Sequence, residues 1–238
     1  MTTRLSAIGC LLLCLISSAA RAQVTYQLDG WPPATGNYEI FNNSQGTETE
    51  DDWVANSFTA VAGGNRLNSI TFAVGSALSS RPVTIAIYTG TSLTNPSGLT
   101  RIVASTTNVN VTAAAGALQT IPFAAPVDLP VGQVFYAAML MRGVPGNLFP
   151  YTDDHFTVGA SPPIMNRSFF DVGPTQSAPY NLDSTSNATV LGGAHPVVGA
   201  GVQSASNLVL RVNGSPVPEP ATLGLLSLGM IGLVRRRR

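Results

Sequence analysis

The chain has 238 residues with twelve basic and twelve acidic side chains, a formal net charge of zero, and arginine as its only strong base. Between Gln23 and Val217 six arginines stand against eleven acids, a mildly acidic balance that argues against nucleic acid as a partner. Both cysteines, Cys10 and Cys14, lie near the N-terminus, so the remainder carries no disulfide and no thiolate metal site.

The first 22 residues read as an export leader. Arg4 supplies the positive start, residues 7–16 are apolar but too short to span a bilayer, and small residues follow. Ala20-Arg21-Ala22 fits the A-x-A pattern of a cleavage site and makes Gln23 the expected mature N-terminus. Cutting after Ala20 is the near alternative.

Roughly 190 residues remain between the two ends, enough for one core. Their dominant pattern is alternation, with almost no helical period. Residues 53–58 form a first strong strand, closed by the turn Gly63-Gly64-Asn65. Residues 67–74 alternate, with Ile70, Phe72 and Val74 on one face. Residues 82–88 place Val83, Ile85 and Ile87 on one face and Thr84, Ala86 and Tyr88 on the other. Shorter strands are expected at 101–104, 108–112 and 118–123. A turn at 128–133 precedes residues 134–141, whose unbroken apolar run predicts a central strand. Residues 207–212 alternate as a final strand. A period of two gives each sheet one face to bury, so the expectation for 23–214 is an all-β antiparallel sandwich. The rhythm from Trp53 through Phe72, Val83–Tyr88 and Tyr136 is similar to jelly-roll-like β-sandwich modules of bacterial surface proteins. Many functions sit on that architecture.

Residues 143–206 depart from the pattern. They are rich in Pro, Gly and Ser, hold both histidines, and read as one long loop region.

The chemistry offered is sparse. Glu48, Glu50, Asp51 and Asp52 could give oxygen ligands to calcium, which takes six to eight. Their spacing lacks the order of a dedicated calcium loop, so the expectation is a solvated acidic loop and no bound cofactor. Asp153-Asp154-His155 groups carboxylates with a base, yet neighbours on a strand point to opposite faces. Neither a G-x-S-x-G elbow nor an HExxH motif is present. Trp31, Tyr151 and Tyr180, with Asp153, Asp154 and Asn181 near them, could form a glycan site, because sugars lay C–H faces on aromatic rings and bond carboxamides and carboxylates through their hydroxyls. The competing expectation is that these rings seal the edges of the sandwich.

The tail has three parts. Pro218-Glu219-Pro220 stops any regular element, because proline fixes φ and lacks a donor. The uncharged run 221–234 has 14 residues, short of the ~17–25 that usually span a bilayer. Arg235, Arg236, Arg237 and Arg238 close the chain and favour the cytoplasmic side, which puts the rest of the protein outside. This order over 215–238 resembles the PEP-CTERM sorting signal of Gram-negative bacteria. The resemblance implies export, transient retention in the inner membrane by a hydrophobic helix, and cutting near Pro218-Glu219-Pro220 by an exosortase-type transpeptidase. It also implies delivery to the cell surface and, as these systems accompany exopolysaccharide, a place in the biofilm matrix. A non-enzymatic structural or interaction protein is the function expected. The alternatives are a carbohydrate-binding module that associates with exopolysaccharide and, less favoured, a glycan hydrolase, which would need two facing carboxylates.

Overall fold

The computed structural model describes residues 23–29, 38–40, 50–73, 81–109, 117–141, 151–153, 167–175, 180–185, 188–191 and 207–217. In chain order the strands are β1 (Val24–Tyr26), β2 (Tyr38–Ile40), β3 (Glu50–Thr59), β4 (Arg66–Ala73), β5 (Arg81–Gly90), β6 (Thr100–Val109) and β7 (Leu118–Asp128). There follow β8 (Val134–Met141), β9 (Tyr151–Asp153), β10 (Ser168–Thr175), β11 (Thr189–Leu191), β12 (Asn207–Leu208) and β13 (Leu210–Ser215). No helix occurs among the described residues, hence none there that could cross a membrane, and the apolar run 221–234 lies outside them.

Every pairing is antiparallel. A four-stranded sheet runs β1-β13-β4-β7, and a six-stranded sheet runs β11-β10-β3-β8-β5-β6. A small third sheet joins β12, β9 and β2. The two large sheets pack face to face, as the period of two requires. Ile70, Phe72, Leu210 and Val212 meet Val54, Ile85, Phe135 and Met139 in a core where each is fully buried. Each such side chain contributes ~1.5–3 kcal/mol relative to exposure. As expected, β8 is central, flanked by β3 and β5. The alternation of β5 also holds: Val83, Ile85 and Ile87 face this core, while Ala86 and Tyr88 enter a second cluster on the sheet's other face.

One polar network crosses the core. Asn56 is fully buried and donates through Nδ2 to the carbonyls of Leu208 (2.9 Å) and Leu210 (2.8 Å). Its Oδ1 accepts from Ser168 Oγ at 2.6 Å, and Ser168 Oγ accepts the Leu208 amide at 3.2 Å. The amide therefore ties β3 and β10 of the six-stranded sheet to the backbone of β12, in the small sheet, and of β13, in the four-stranded one, with its partners satisfied.

Several boundaries differ from the sequence reading. Residues 101–104 and 108–112 were expected as separate strands. Instead β6 is one ten-residue strand that joins 101–104 to 108–109 along β5, because threonines 106 and 107 are β-branched and fit the pleat; residues 110–112 lie outside the described ones. The segment 48–52 was expected to be a solvated loop, but Glu50, Asp51 and Asp52 open β3, with Asp52 opposite Met141 of β8. Among its described residues the stretch 143–206 contains three strands, β9, β10 and β11, rather than loop alone. Pro174 of β10 falls where the register against β3 shifts, between Val172 and Thr175, so it breaks no regular ladder. The final strand is divided at Val209, whose carbonyl accepts from the Ala73 amide.

Candidate functional site

The sandwich opens along one side, where β6 ends the six-stranded sheet and β7 ends the four-stranded one. Register fixes which side chains face inward there. Val103, Ser105 and Thr107 of β6 lie opposite Ile87, Ile85 and Val83, all core residues. On β7, Gln119 and Ile121 lie opposite Phe72 and Ile70. Hydroxyls and an amide thus stand at positions where a closed sandwich carries apolar groups. They leave a cleft of about 400 Å³, lined by Ser105, Thr106, Thr107 and Asn108 from one strand and residues 119–124 from the other. That volume falls within the ~300–1,000 Å³ of small-ligand sites. Among the described residues its lining contains no charged side chain.

The other face of the six-stranded sheet is covered by the segments 91–99 and 180–185. Beneath them lie Trp53, Tyr88, Tyr136 and Phe169, all fully buried. Trp53 meets Tyr88 edge-on at 5.9 Å, and its Nε1 has no hydrogen-bond partner among the described residues. Tyr88 donates to the Leu182 carbonyl (2.9 Å), Tyr136 to those of Ser92 (2.6 Å) and Asn95 (2.9 Å), so both phenols hold the cover down. Burial pushes each of these phenols up to about 12. Arg167 binds Ser57 through Nε, at 3.0 Å to its carbonyl and 2.8 Å to Oγ, and burial lowers its guanidinium pKa.

Asp51 of β3 and Asp171 of β10 share this covered face with Trp53, as register shows: Asp171 lies opposite Trp53, and Asp51 is two residues before it. Tyr180 bridges them, its amide donating to Asp51 Oδ2 (3.0 Å) and its hydroxyl to Asp171 Oδ2 (2.7 Å). Burial, and the Asp171 hydrogen bond after it, raises the Tyr180 phenol.

Four of the six sequence-expected glycan residues, Tyr151, Asp153, Tyr180 and Asn181, are described, and they fall on separate elements. Tyr180 is buried beneath its own cover and bonded at both ends, so its ring is not open to a ligand; beside it Asn181 is exposed, its Oδ1 accepting from the Asp183 amide. Tyr151 and Asp153 lie on β9 in the small sheet, not in the sheet that Tyr180 covers. Trp31 and Asp154 are outside the described residues. For the calcium candidates, Glu48 is also outside them, and Glu50, Asp51 and Asp52 are consecutive residues of β3. Asp51 turns inward onto Tyr180 rather than to solvent. Of the end signals, Gln23 is described and exposed, while Ala20, Ala22, Pro218, Glu219, Pro220 and the four terminal arginines lie outside. Sequence reasoning missed Ser105, Thr107, Gln119 and Asp171. The available signal was polar residues at the inward parity of edge strands.

These features define an antiparallel β-sandwich with a closed aromatic face and an open, uncharged cleft. Residues 216–238 match the family model of the PEP-CTERM protein-sorting motif, so the chain carries the sorting signal of an exported, surface-directed protein processed by an exosortase-type enzyme. Among solved structures it is similar to a chain comprising the cysteine protease and lectin-like domains of Cwp84, a surface layer associated protein of Clostridium difficile. That likeness has a TM-score of 0.50 at 9% identity and covers 82% of this chain and 36% of the other. The chain thus spans about a third of the solved chain's length, and identity this low speaks to fold alone. No curated protein matches it.

Proposed function

We propose that this chain is a non-enzymatic cell-surface or extracellular-matrix protein of interaction type, displayed by exosortase-dependent sorting. The observation that supports it most is where the tail begins. The matched motif starts at residue 216, directly after β13 ends at Ser215, and β13 lies inside a sheet between β1 and β4. A cut near Pro218-Glu219-Pro220 removes the membrane-directed segment without touching a described strand. What is released keeps every described strand of the sandwich, a suitable object for display.

Carbohydrate is the partner class we favour, on the strength of the open cleft and a fold shared with a chain that includes a lectin-like domain. Catalysis is less favoured. Asp51 and Asp171 share a face, as a glycosidase pair would, but Tyr180 occupies both carboxylates.

The test is to replace Pro218 and Glu219 with Ala in a host that carries an exosortase-type enzyme, then fractionate. Wild type should reach the surface or medium, and the variant should stay in the inner membrane. Identical partitioning would contradict sorting through this motif.

A further inference from the structure

We propose that the cleft between β6 and β7 is a binding site for a neutral sugar of an uncharged polysaccharide; this rests on the carbohydrate reading above and gives it a location. The hydroxyls near this edge fall into two groups. Those turned outward are tied to neighbours, Thr106 to Thr84 at 2.7 Å and Thr120 to Thr71 at 2.8 Å. The side chains of Ser105, Thr107, Asn108 and Gln119 make no hydrogen bond among the described residues. Ser105, Thr107 and Gln119 are also half-buried and face the core side of their strands. Half-buried polar groups that bond no neighbour keep their donors and acceptors for whatever fills the cleft, so three of them on two facing strands favour an occupant that brings donors and acceptors of its own.

The chemistry of the lining narrows that occupant. Each hydroxyl can donate one bond and accept others, and each carboxamide offers two donors and an acceptor, a set that matches sugar hydroxyls. Ile121 and Phe123 are 6% exposed each and supply an apolar wall for the C–H face of a ring. With no charged side chain among the described lining residues, none of them compensates the desolvation of a carboxylate or sulfate, so anionic sugars are disfavoured. A peptide strand added to β6 is the other occupant an edge strand can take. The unpartnered inward side chains favour the sugar, because strand addition uses backbone groups in the sheet plane and leaves them unpaired.

The test uses the full chain in a zwitterionic detergent that has no sugar headgroup. Calorimetry compares neutral oligosaccharides (cello-, laminari-, malto- and mannohexaose) with anionic ones (alginate and hyaluronan hexamers). Wild type should bind at least one neutral oligosaccharide and no anionic one. Thr107→Val with Gln119→Leu should weaken that binding at least tenfold, and Thr25→Val, on β1 at the opposite edge of the four-stranded sheet, should leave it unchanged. If the double variant loses its fold by thermal melting, Ser105→Ala, which removes a single hydroxyl, should still weaken binding several-fold. Equal binding by wild type and cleft variants would overturn the location and leave the carbohydrate reading standing. No binding of any oligosaccharide would overturn both. Anionic binding alone, or self-association that the cleft variants abolish without any sugar binding, would overturn the neutral-sugar assignment.

Discussion

Val24 lies directly across from Gly214 in the outer strand pair of the four-stranded sheet. The first and last described segments of the chain therefore leave the sandwich at one edge, and residues 1–22 and the sorting tail are joined to that same edge. The contact is close on a third side as well, because Gly64, in the turn between β3 and β4, packs against both strands. A Cβ on Gly64 would come within 2.7 Å of Val24 Cβ, and one on Gly214 would sit 2.1 Å from the Gly64 carbonyl oxygen.

That geometry separates two glycine substitutions. Gly214→Ala places its methyl against backbone, which cannot rotate away, and should cost about 3 kcal/mol. Gly63→Ala meets nothing within 4 Å but holds φ at +86°, so only the left-handed backbone is penalised, by about 1 kcal/mol. Thermal unfolding of the two variants should rank them in that order. Equal melting points would show that the β1–β13 edge is looser than described.

Asn56 is the polar tie between the sheets, and its replacement should be costly out of proportion to its size. Asn56→Ala leaves the Leu208 and Leu210 carbonyls and the Ser168 hydroxyl without their partner in a buried site. An unsatisfied buried group costs about 1–3 kcal/mol, so a loss near 3 kcal/mol or more is expected in denaturant titration. A change under 1 kcal/mol would mean that water replaces the amide.

The buried phenols set the alkaline limit. Tyr88 and Tyr136 are pushed up to about 12 by burial, against about 10 in the unfolded chain. Their folded forms hold the proton more tightly, so their contribution is fully present below pH 10 and is lost as pH rises from 10 towards 12. Across that window each phenol removes about 1.4 kcal/mol per pH unit, and Tyr180, also raised, steepens the fall. Unfolding midpoints should be insensitive to these groups from pH 7 to 9 and then drop. Tyr88→Phe should make the alkaline slope shallower, and an unchanged slope would contradict its burial.

Legibility in the sequence followed the regularity of burial. β5 and β8 were plain because their faces are uniformly buried, giving strict alternation or an unbroken apolar run. β6 was read as two pieces because its inward positions carry Ser105 and Thr107 in place of apolar residues, and those same positions form the cleft. The local rule failed where the molecule departs from a closed core, as happens at functional sites. β10 was hidden by the adjacent pair Phe169-Phe170, which bury on both faces of its sheet, and by Pro174. The burial of Asp51 was not legible at all, since it depends on Tyr180, 129 residues away. The tail was legible without any structure, because its order of turn, apolar run and basic end is local.

Sorting is the central claim, and intact-mass analysis of the protein recovered from the surface of an exosortase-bearing host tests it most directly. The expected species begins at or near Gln23 and lacks residues 221–238. A full-length C-terminus in every fraction would contradict the account and leave the tail as a plain membrane anchor.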